Sequence, residues 1–333
     1  MRTARTLARE RVTVVHGQPP RPDPGEALVR VHTVTLCGTD LHIFDDDYAT
    51  ELPIVQGHEI SGIVENAPEE SGFTPGDRVA VSPMRYCGTC RACRIGRMNA
   101  CRSSSCLGCY EDGGLAELIT VPAGDLHRVP AGLDLDLAAL AEPTSIAVQA
   151  VLRGRPQPGE SALVLGCGPI GLLATLHLTS LGVQVTCADV SAERAAFATR
   201  FGAARTALAG RDPIPDEPSL VIEATGSPAA LDTALQAVST AGRVVLVGLS
   251  GKTANLPVRT IPVKDLDVLG SRNSQRRMDE ALALLHENTG AARDLITHRV
   301  PLADIGTAFR LLRAPDGLVG KVAVDLTAEE EPS

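Results

Sequence analysis

The chain has no tryptophan and only five phenylalanines and three tyrosines in 333 residues. Few aromatic faces remain for bases to stack on, and acidic residues outnumber basic ones 40 to 31, so no excess of phosphate-neutralising charge is available. These two shortages exclude a nucleic-acid platform. Also missing is an uninterrupted apolar run of about 20 residues, the length of a membrane span. The most apolar stretches, Ser161 to Leu178 and Arg243 to Leu249, are broken by glycine, proline or polar residues. No membrane partner is expected. The N-terminal segment Met1 to Glu10 carries charge but no apolar core of the kind a secretory leader needs, so the expected location is the cytoplasm. What remains is 44% hydrophobic and 21% charged, the composition of a soluble globular protein long enough for two core-bearing lobes acting on a small molecule. Its nine cysteines are odd in number and lack an export signal, which argues against a closed disulfide framework.

The pattern changes along the chain. From Arg11 to about Val121 it gives short β-type runs, Ala27 to Val34, Ser61 to Glu65 and Arg78 to Ser82, with Pro22-Asp-Pro-Gly25 and Thr74-Pro-Gly-Asp77 as turns. Leu137 to Leu152 has helical spacing, with Glu142-Pro143 inside it. Beyond Pro158 come fully apolar runs, Ala162 to Leu165 and Val183 to Ala188, separated by a helical segment from Ile170 to about Leu181. Such alternation predicts a parallel sheet covered on both faces, which Leu220 to Ala224, Gly242 to Gly248 and Asp267 to Gly270 extend. Arg276 to His286 reads as helix and Val319 to Asp325 as strand, and the tail Glu329 to Ser333 is expected to fray.

Gly166-Cys-Gly-Pro-Ile-Gly171 follows one of these strands and opens the next helix, the context of a dinucleotide-binding turn. Gly166 would make the turn, Gly168 admit a pyrophosphate, Pro169 and Ile170 begin the helix, and Gly171 allow close helix packing. Asp189, ending the following apolar run, is placed to accept hydrogen bonds from ribose hydroxyls, which favours NAD. Arg194 is the residue that could meet a 2′-phosphate, so NADP is the less favoured cofactor.

Cys87, Cys90, Cys93 and Cys101 follow the spacing C-x2-C-x2-C-x7-C, which closes a tetrahedral Zn²⁺ site with no open position. The ferredoxin spacing differs, with a fourth cysteine after three residues and before proline. Cys37-Gly-Thr-Asp-Leu-His42, Gly57-His58-Glu59 and Ala141-Glu142-Pro143 are uninformative singly. Together with a nicotinamide-type fold they supply a thiolate, an imidazole and carboxylates, a donor set suited to a second, open zinc site.

In these pieces and their order the sequence resembles the zinc-dependent medium-chain dehydrogenases, the alcohol, polyol and threonine dehydrogenase superfamily, over essentially its whole length. The resemblance implies an α/β protein in which a GroES-like β-rich catalytic domain, formed by both chain ends (1–147 and 273–333), receives an inserted Rossmann domain (148–272), a doubly wound parallel sheet. It implies a catalytic zinc held by Cys37, His58 and Glu142, with Glu59 exchanging against water or substrate, and two zinc ions per chain. It also implies that Thr39 takes the proton of the substrate alcohol and that His42 passes it through the cofactor ribose to solvent. Thr225, Gly248, Arg272 and Asn273 are further expected cofactor contacts. Glu142-Pro143 points to the polyol and threonine branch, and Gly270-Ser-Arg-Asn273 resembles bacterial sugar-acid dehydrogenases. The implied reaction is NAD-linked oxidation of a secondary alcohol on a polyol, sugar acid, threonine-like amino alcohol or aminocyclitol, by a homodimer or homotetramer. Phe44, Tyr48, Arg85 and Tyr86 are candidate pocket residues. Two other readings stay open: a zinc-free quinone or enoyl reductase of the same fold, and a non-catalytic NAD-binding redox sensor using Cys106 and Cys109.

Overall fold

The computed structural model describes residues 1–214, 217–313 and 317–328, so the expected fraying of Glu329 to Ser333 lies outside the described residues. The chain divides into two compact units, Met1–Glu142 with Met278–Ser333, and Pro143–Arg277.

In the first unit the strand Glu26–Leu36 is the axis of a seven-stranded sheet. Its first half alternates buried and exposed side chains, the mark of a sheet with one wet face, whereas its last four residues are all buried. That end is covered on both faces, and it leads directly to Cys37. The strand order across the sheet is Ile296–Pro301, Lys321–Asp325, Glu26–Leu36, Glu59–Asn66, Arg78–Val81, Leu126–Arg128, and Leu118–Pro122 also pairs with Glu26–Leu36. Register fixes what meets at the covered end: Val322 lies opposite Leu36, and Thr35 opposite Glu59. A segment from the C-terminal part of the chain is thus brought beside two N-terminal ones.

The second unit carries six parallel strands in the order Arg205–Leu208, Gln184–Asp189, Ser161–Leu165, Leu220–Glu223, Arg243–Leu246, Asp267–Gly270. The order reverses between Ser161–Leu165 and Leu220–Glu223, the topological switch point at which doubly wound sheets bind ligands. The helix Pro169–Ser180 starts there, with Pro at its first position, where a missing N–H costs no helical hydrogen bond. Among the described residues no helix is long and apolar enough to cross a membrane.

Two expectations are corrected. The helix read over Leu137 to Leu152 is two helices, Leu135–Ala138 and Ala141–Arg153. Pro143 is the reason: it has no N–H and crowds the preceding turn, so it is accommodated only near a helix start, and the chain restarts at Ala141. Phe44 is not a pocket residue. It is 8% exposed and stacks on Phe309 with ring centroids 4.2 Å apart, which joins the helix Gly38–Phe44 to the helix Ile305–Arg313. Phe309 is 1% exposed, and Phe309→Ala removes a fully buried ring. The variant is expected to lose about 3–5 kcal/mol of stability, read as a lowered urea midpoint.

Candidate active site and metal centres

Cys37 follows the covered strand and caps the helix Gly38–Phe44: its Sγ accepts from the Thr39 N–H at 3.2 Å, and its own N–H donates to Asp40 Oδ2 at 2.9 Å. This reciprocal cap fixes the thiol at the helix start. His58 comes from the segment before the strand Glu59–Asn66 and faces two ways. Its Nε2 lies 3.0 Å from Cys37 Sγ, while its Nδ1 lies 3.7 Å from Asp40 Oδ1 and 3.8 Å from Cys109 Sγ. A carboxylate on the Nδ1 side favours a proton there and leaves the Nε2 lone pair for a metal. Donor atoms of Cys37, His58 and Glu59 all lie within 4.8 Å of one another. The set offers a soft thiolate, a borderline imidazole and a hard carboxylate, which suits zinc, whose bonds to such donors run about 2.0–2.3 Å.

The expected ligand Glu142 is not part of that close set. It sits in the first turn of the helix Ala141–Arg153, 7% exposed, and belongs to the same buried charge group. Burial pushes its carboxyl up to about 7, partly opposed by His58. Burial works to lower the pKa of His58, but the charges of Cys37, Asp40 and Cys109 outweigh it and hold it well above the ordinary value.

Two residues of this group were not legible in the sequence. Asp40 is 0% exposed and, besides its bond to Cys37, accepts from Gly57 N–H at 3.2 Å. Its signal was the capping-box spacing from Cys37 to Asp40. Lys321 is 2% exposed and pairs through Nζ with Glu59 Oε1, while Thr35 Oγ1 donates to Glu59 Oε2. A lone lysine in the apolar run Val319 to Val324 was the available sign.

Thr39 and His42 lie on the helix Gly38–Phe44, Thr39 half-buried and His42 exposed with Nδ1 2.8 Å from Asp47 Oδ1. Of the remaining candidate pocket residues, Arg85 is tied to Glu111 at 3.0 Å and Asp125 at 3.7 Å. Tyr48 and Tyr86 pack on a small cluster of Ile43, Ile54, Met84, Cys106 and Cys109, and the Tyr110 hydroxyl donates to that of Tyr48 at 3.2 Å. Cys106 and Cys109 are buried in that cluster.

The four-cysteine loop is compact. Sulfur separations are 3.6 Å for Cys90–Cys93, 3.9 Å for Cys90–Cys101 and 3.5 Å for Cys87–Cys101. Four thiolates about 2.3 Å from one tetrahedral ion stand ~3.8 Å apart, so the loop fits a single zinc. Hydrogen bonds from the Thr89 and Cys90 N–H groups lower the Cys87 thiol to about 6, toward the thiolate that a metal requires.

In the second unit, Gly166 has φ +96°, and a Cβ on Gly171 would stand 1.9 Å from Gly166 O. Both glycines are demanded by the turn itself. Gly168 is not: its φ is −75°, and a Cβ there would meet nothing within 4 Å. Pro169 and Ile170 are half-buried at the helix start. Asp189 ends its strand as expected and accepts from Cys167 N–H at 2.7 Å and Ser191 N–H at 2.9 Å, with Arg194 half-buried nearby in the helix Ala192–Phe197. Thr225 and Gly248 follow the ends of neighbouring strands, and Thr225 N–H donates to Glu223 Oε1 at 2.7 Å. Arg272 is exposed just past the strand Asp267–Gly270, and Asn273 takes φ +47°. Cys167 and Cys187 are buried.

Residues 23–131 match the alcohol dehydrogenase GroES-like domain, and residues 135–325 match the glucose dehydrogenase C-terminus. The chain is 32% identical to the 2-dehydro-3-deoxy-L-galactonate 5-dehydrogenase of Pseudoalteromonas atlantica, over 99% of this chain and 100% of that protein. It is 35% identical to the D-altritol 5-dehydrogenase of Agrobacterium fabrum, over 85% of this chain and 87% of that one. A solved short chain alcohol dehydrogenase from Escherichia coli, complexed with NADH, superposes with a TM-score of 0.91 at 29% identity, covering 98% of this chain and 99% of that chain. The chain belongs to the zinc-dependent medium-chain dehydrogenases, in the polyol and sugar-acid branch of the alcohol dehydrogenase-like superfamily, oxidoreductases that act on CH–OH groups with zinc and a nicotinamide dinucleotide.

Proposed function

We propose that this enzyme oxidises a secondary hydroxyl of an open-chain sugar acid or alditol to a ketone, with NAD⁺ as acceptor and C5 as the favoured position. The observation that carries the chemistry is the convergence of Cys37, His58 and Glu59 within 4.8 Å, with His58 turned by Asp40 so that Nε2 faces the thiol. The preference for C5 rests on the two relatives, both named as 5-dehydrogenases. A zinc-free reductase would have no use for such a donor set.

Cys37 and His58 would hold the catalytic ion, with Glu142 and Glu59 completing its carboxylate ligands, and Cys87, Cys90, Cys93 and Cys101 the structural one. When bound, zinc supplies a Lewis acid for the hydroxyl oxygen and NAD⁺ supplies the hydride acceptor. The reaction breaks the substrate C–H and O–H bonds and forms C=O. The hydrogen leaves with two electrons as hydride, and the hydroxyl proton passes to Thr39 Oγ1 as the Thr39 hydroxyl gives up its own proton to the next group of the relay. His42, exposed and held by Asp47, hands the proton on toward solvent. Asp40 fixes the ring of His58 through Nδ1.

The Rossmann unit would hold the cofactor. Neither packing nor backbone conformation requires glycine at 168, which leaves close approach of the pyrophosphate as its reason. A carboxylate at Asp189, at the end of its strand, would repel a 2′-phosphate, which supports NAD over NADP. Thr225, Gly248, Arg272 and Asn273, beyond strand ends, would line the same cofactor. The edge strand Asp267–Gly270, with Val268 38% exposed and Val258 and Val263 70% and 67% exposed beside it in sequence, supports a homodimer formed at that edge.

Four outcomes are expected. On a panel of sugar acids, alditols, threonine and aminocyclitols, NAD-linked oxidation should be strongest with sugar acids or alditols. In the same assay Thr39→Val should lower turnover by roughly 10²-fold or more with zinc content and NAD affinity kept; near-normal turnover would remove Thr39 from the relay. Metal analysis should give about two zinc ions per chain, falling to about one in Cys37→Ser and in His58→Ala. Gly168→Ala should leave the melting temperature nearly unchanged while weakening NAD binding, whereas Gly171→Ala should lower both; equal behaviour of the two would count against the pyrophosphate reading.

A further inference from the structure

Lys321 is a buried lysine at the centre of the site, and the proton relay and the metal ligands leave it without a role. It is 2% exposed, on the strand Lys321–Asp325, and the sheet brings it there: Val322 lies opposite Leu36, the residue before Cys37, and Thr35 lies opposite Glu59. Its Nζ pairs with Glu59 Oε1, and the Thr35 hydroxyl donates to Oε2, so both oxygens of this carboxylate are held from the protein side. Yet Glu59 is also one of the three residues whose donor atoms converge within 4.8 Å. One carboxylate therefore faces two competing cations, the lysine ammonium and the metal.

We propose that Lys321 is a positioning residue whose ammonium competes with the metal for Glu59, and that this competition keeps one coordination position available to the substrate hydroxyl. The inference rests on the metal reading given above. A lysine that served only to neutralise buried acid would affect stability and nothing else. One that competes for Glu59 affects how firmly the metal is held and how it is coordinated, and does so only while Glu59 can bind.

The test uses the full-length enzyme loaded with Co²⁺ or Zn²⁺. Beside the thiolate-to-cobalt absorption of the four-cysteine loop, wild type should show a further component of that absorption that is lost in Cys37→Ser. In Lys321→Met, Glu59 stays on the metal: the cobalt d–d bands should change shape, zinc release to a chelator should slow by roughly tenfold or more, and turnover should fall. Lys321→Arg keeps a cation on Glu59 and should restore the wild-type spectrum and release rate. In a Glu59→Gln background, Lys321→Met should produce no further change in release, because the competition has lost its object. That last comparison stands even if Lys321→Met alone fails to fold, since the double variant leaves no unpaired buried charge. Unchanged or faster release in folded Lys321→Met, or a full effect persisting in the Glu59→Gln background, would overturn the inference while leaving the metal site intact. Absence of any Cys37-dependent band in wild type would overturn the metal reading, and this inference with it.

Discussion

The structure of the first unit turns on the burial of acidic groups. Asp40, Glu59 and Glu142 are 0%, 1% and 7% exposed, and the Cys37 thiol adjoins them. Moving one carboxylate out of water costs several kcal/mol unless donors or cations replace the lost hydration. Each acid meets that demand differently. Asp40 is held by N–H groups of Cys37 and Gly57, and Glu59 by Lys321 and Thr35. For Glu142 burial is the largest influence, and it lifts the carboxyl to about 7. A divalent cation bound among these groups would add positive charge beside buried carboxylates, so the burial that is costly for folding would favour metal binding.

Chain topology follows from that demand. The cation for Glu59 comes from position 321, on the strand that the C-terminal return lays beside Glu26–Leu36. The helix Ile305–Arg313, earlier in the same return, stacks Phe309 on Phe44 at the far end of the helix that Cys37 caps. The return segment thus bears on both ends of the helix that Cys37 caps and that carries Thr39.

What the sequence made legible divides by distance along the chain. The glycine turn and the four-cysteine loop are local: their residues meet because a short segment folds on itself, so spacing alone identifies them. Cys37, His58 and Glu142 lie far apart, and only resemblance to a family grouped them. Lys321 and Asp40 went unread because their signals, a single charged residue in an apolar strand and a capping-box spacing with cysteine in place of serine, are weak and do not point to each other. The helix boundary at Ala141 and the burial of Phe44 were missed for another reason. Apolar periodicity does not register where Pro143 forces a restart, and it does not say whether an aromatic faces a pocket or a neighbouring helix.

The two metal-binding sets differ in what makes them competent. In the cysteine loop, Cys87 is exposed, its thiol is lowered by backbone N–H groups, and the sulfurs lie at the spacing of a tetrahedron. Four like ligands of one loop leave no position for another group, which confines that ion to holding the loop together. The buried set instead draws its donors from a helix cap and from two consecutive residues, His58 and Glu59, where the strand Glu59–Asn66 begins, mixes sulfur, nitrogen and oxygen, and includes a carboxylate already engaged by lysine. A ligand with a second partner can leave the metal without becoming an unpaired charge in the core. An ion with three protein ligands keeps an open position for substrate, and the pairing of Glu59 with Lys321 gives that carboxylate a partner other than a metal, so it need not fill the position.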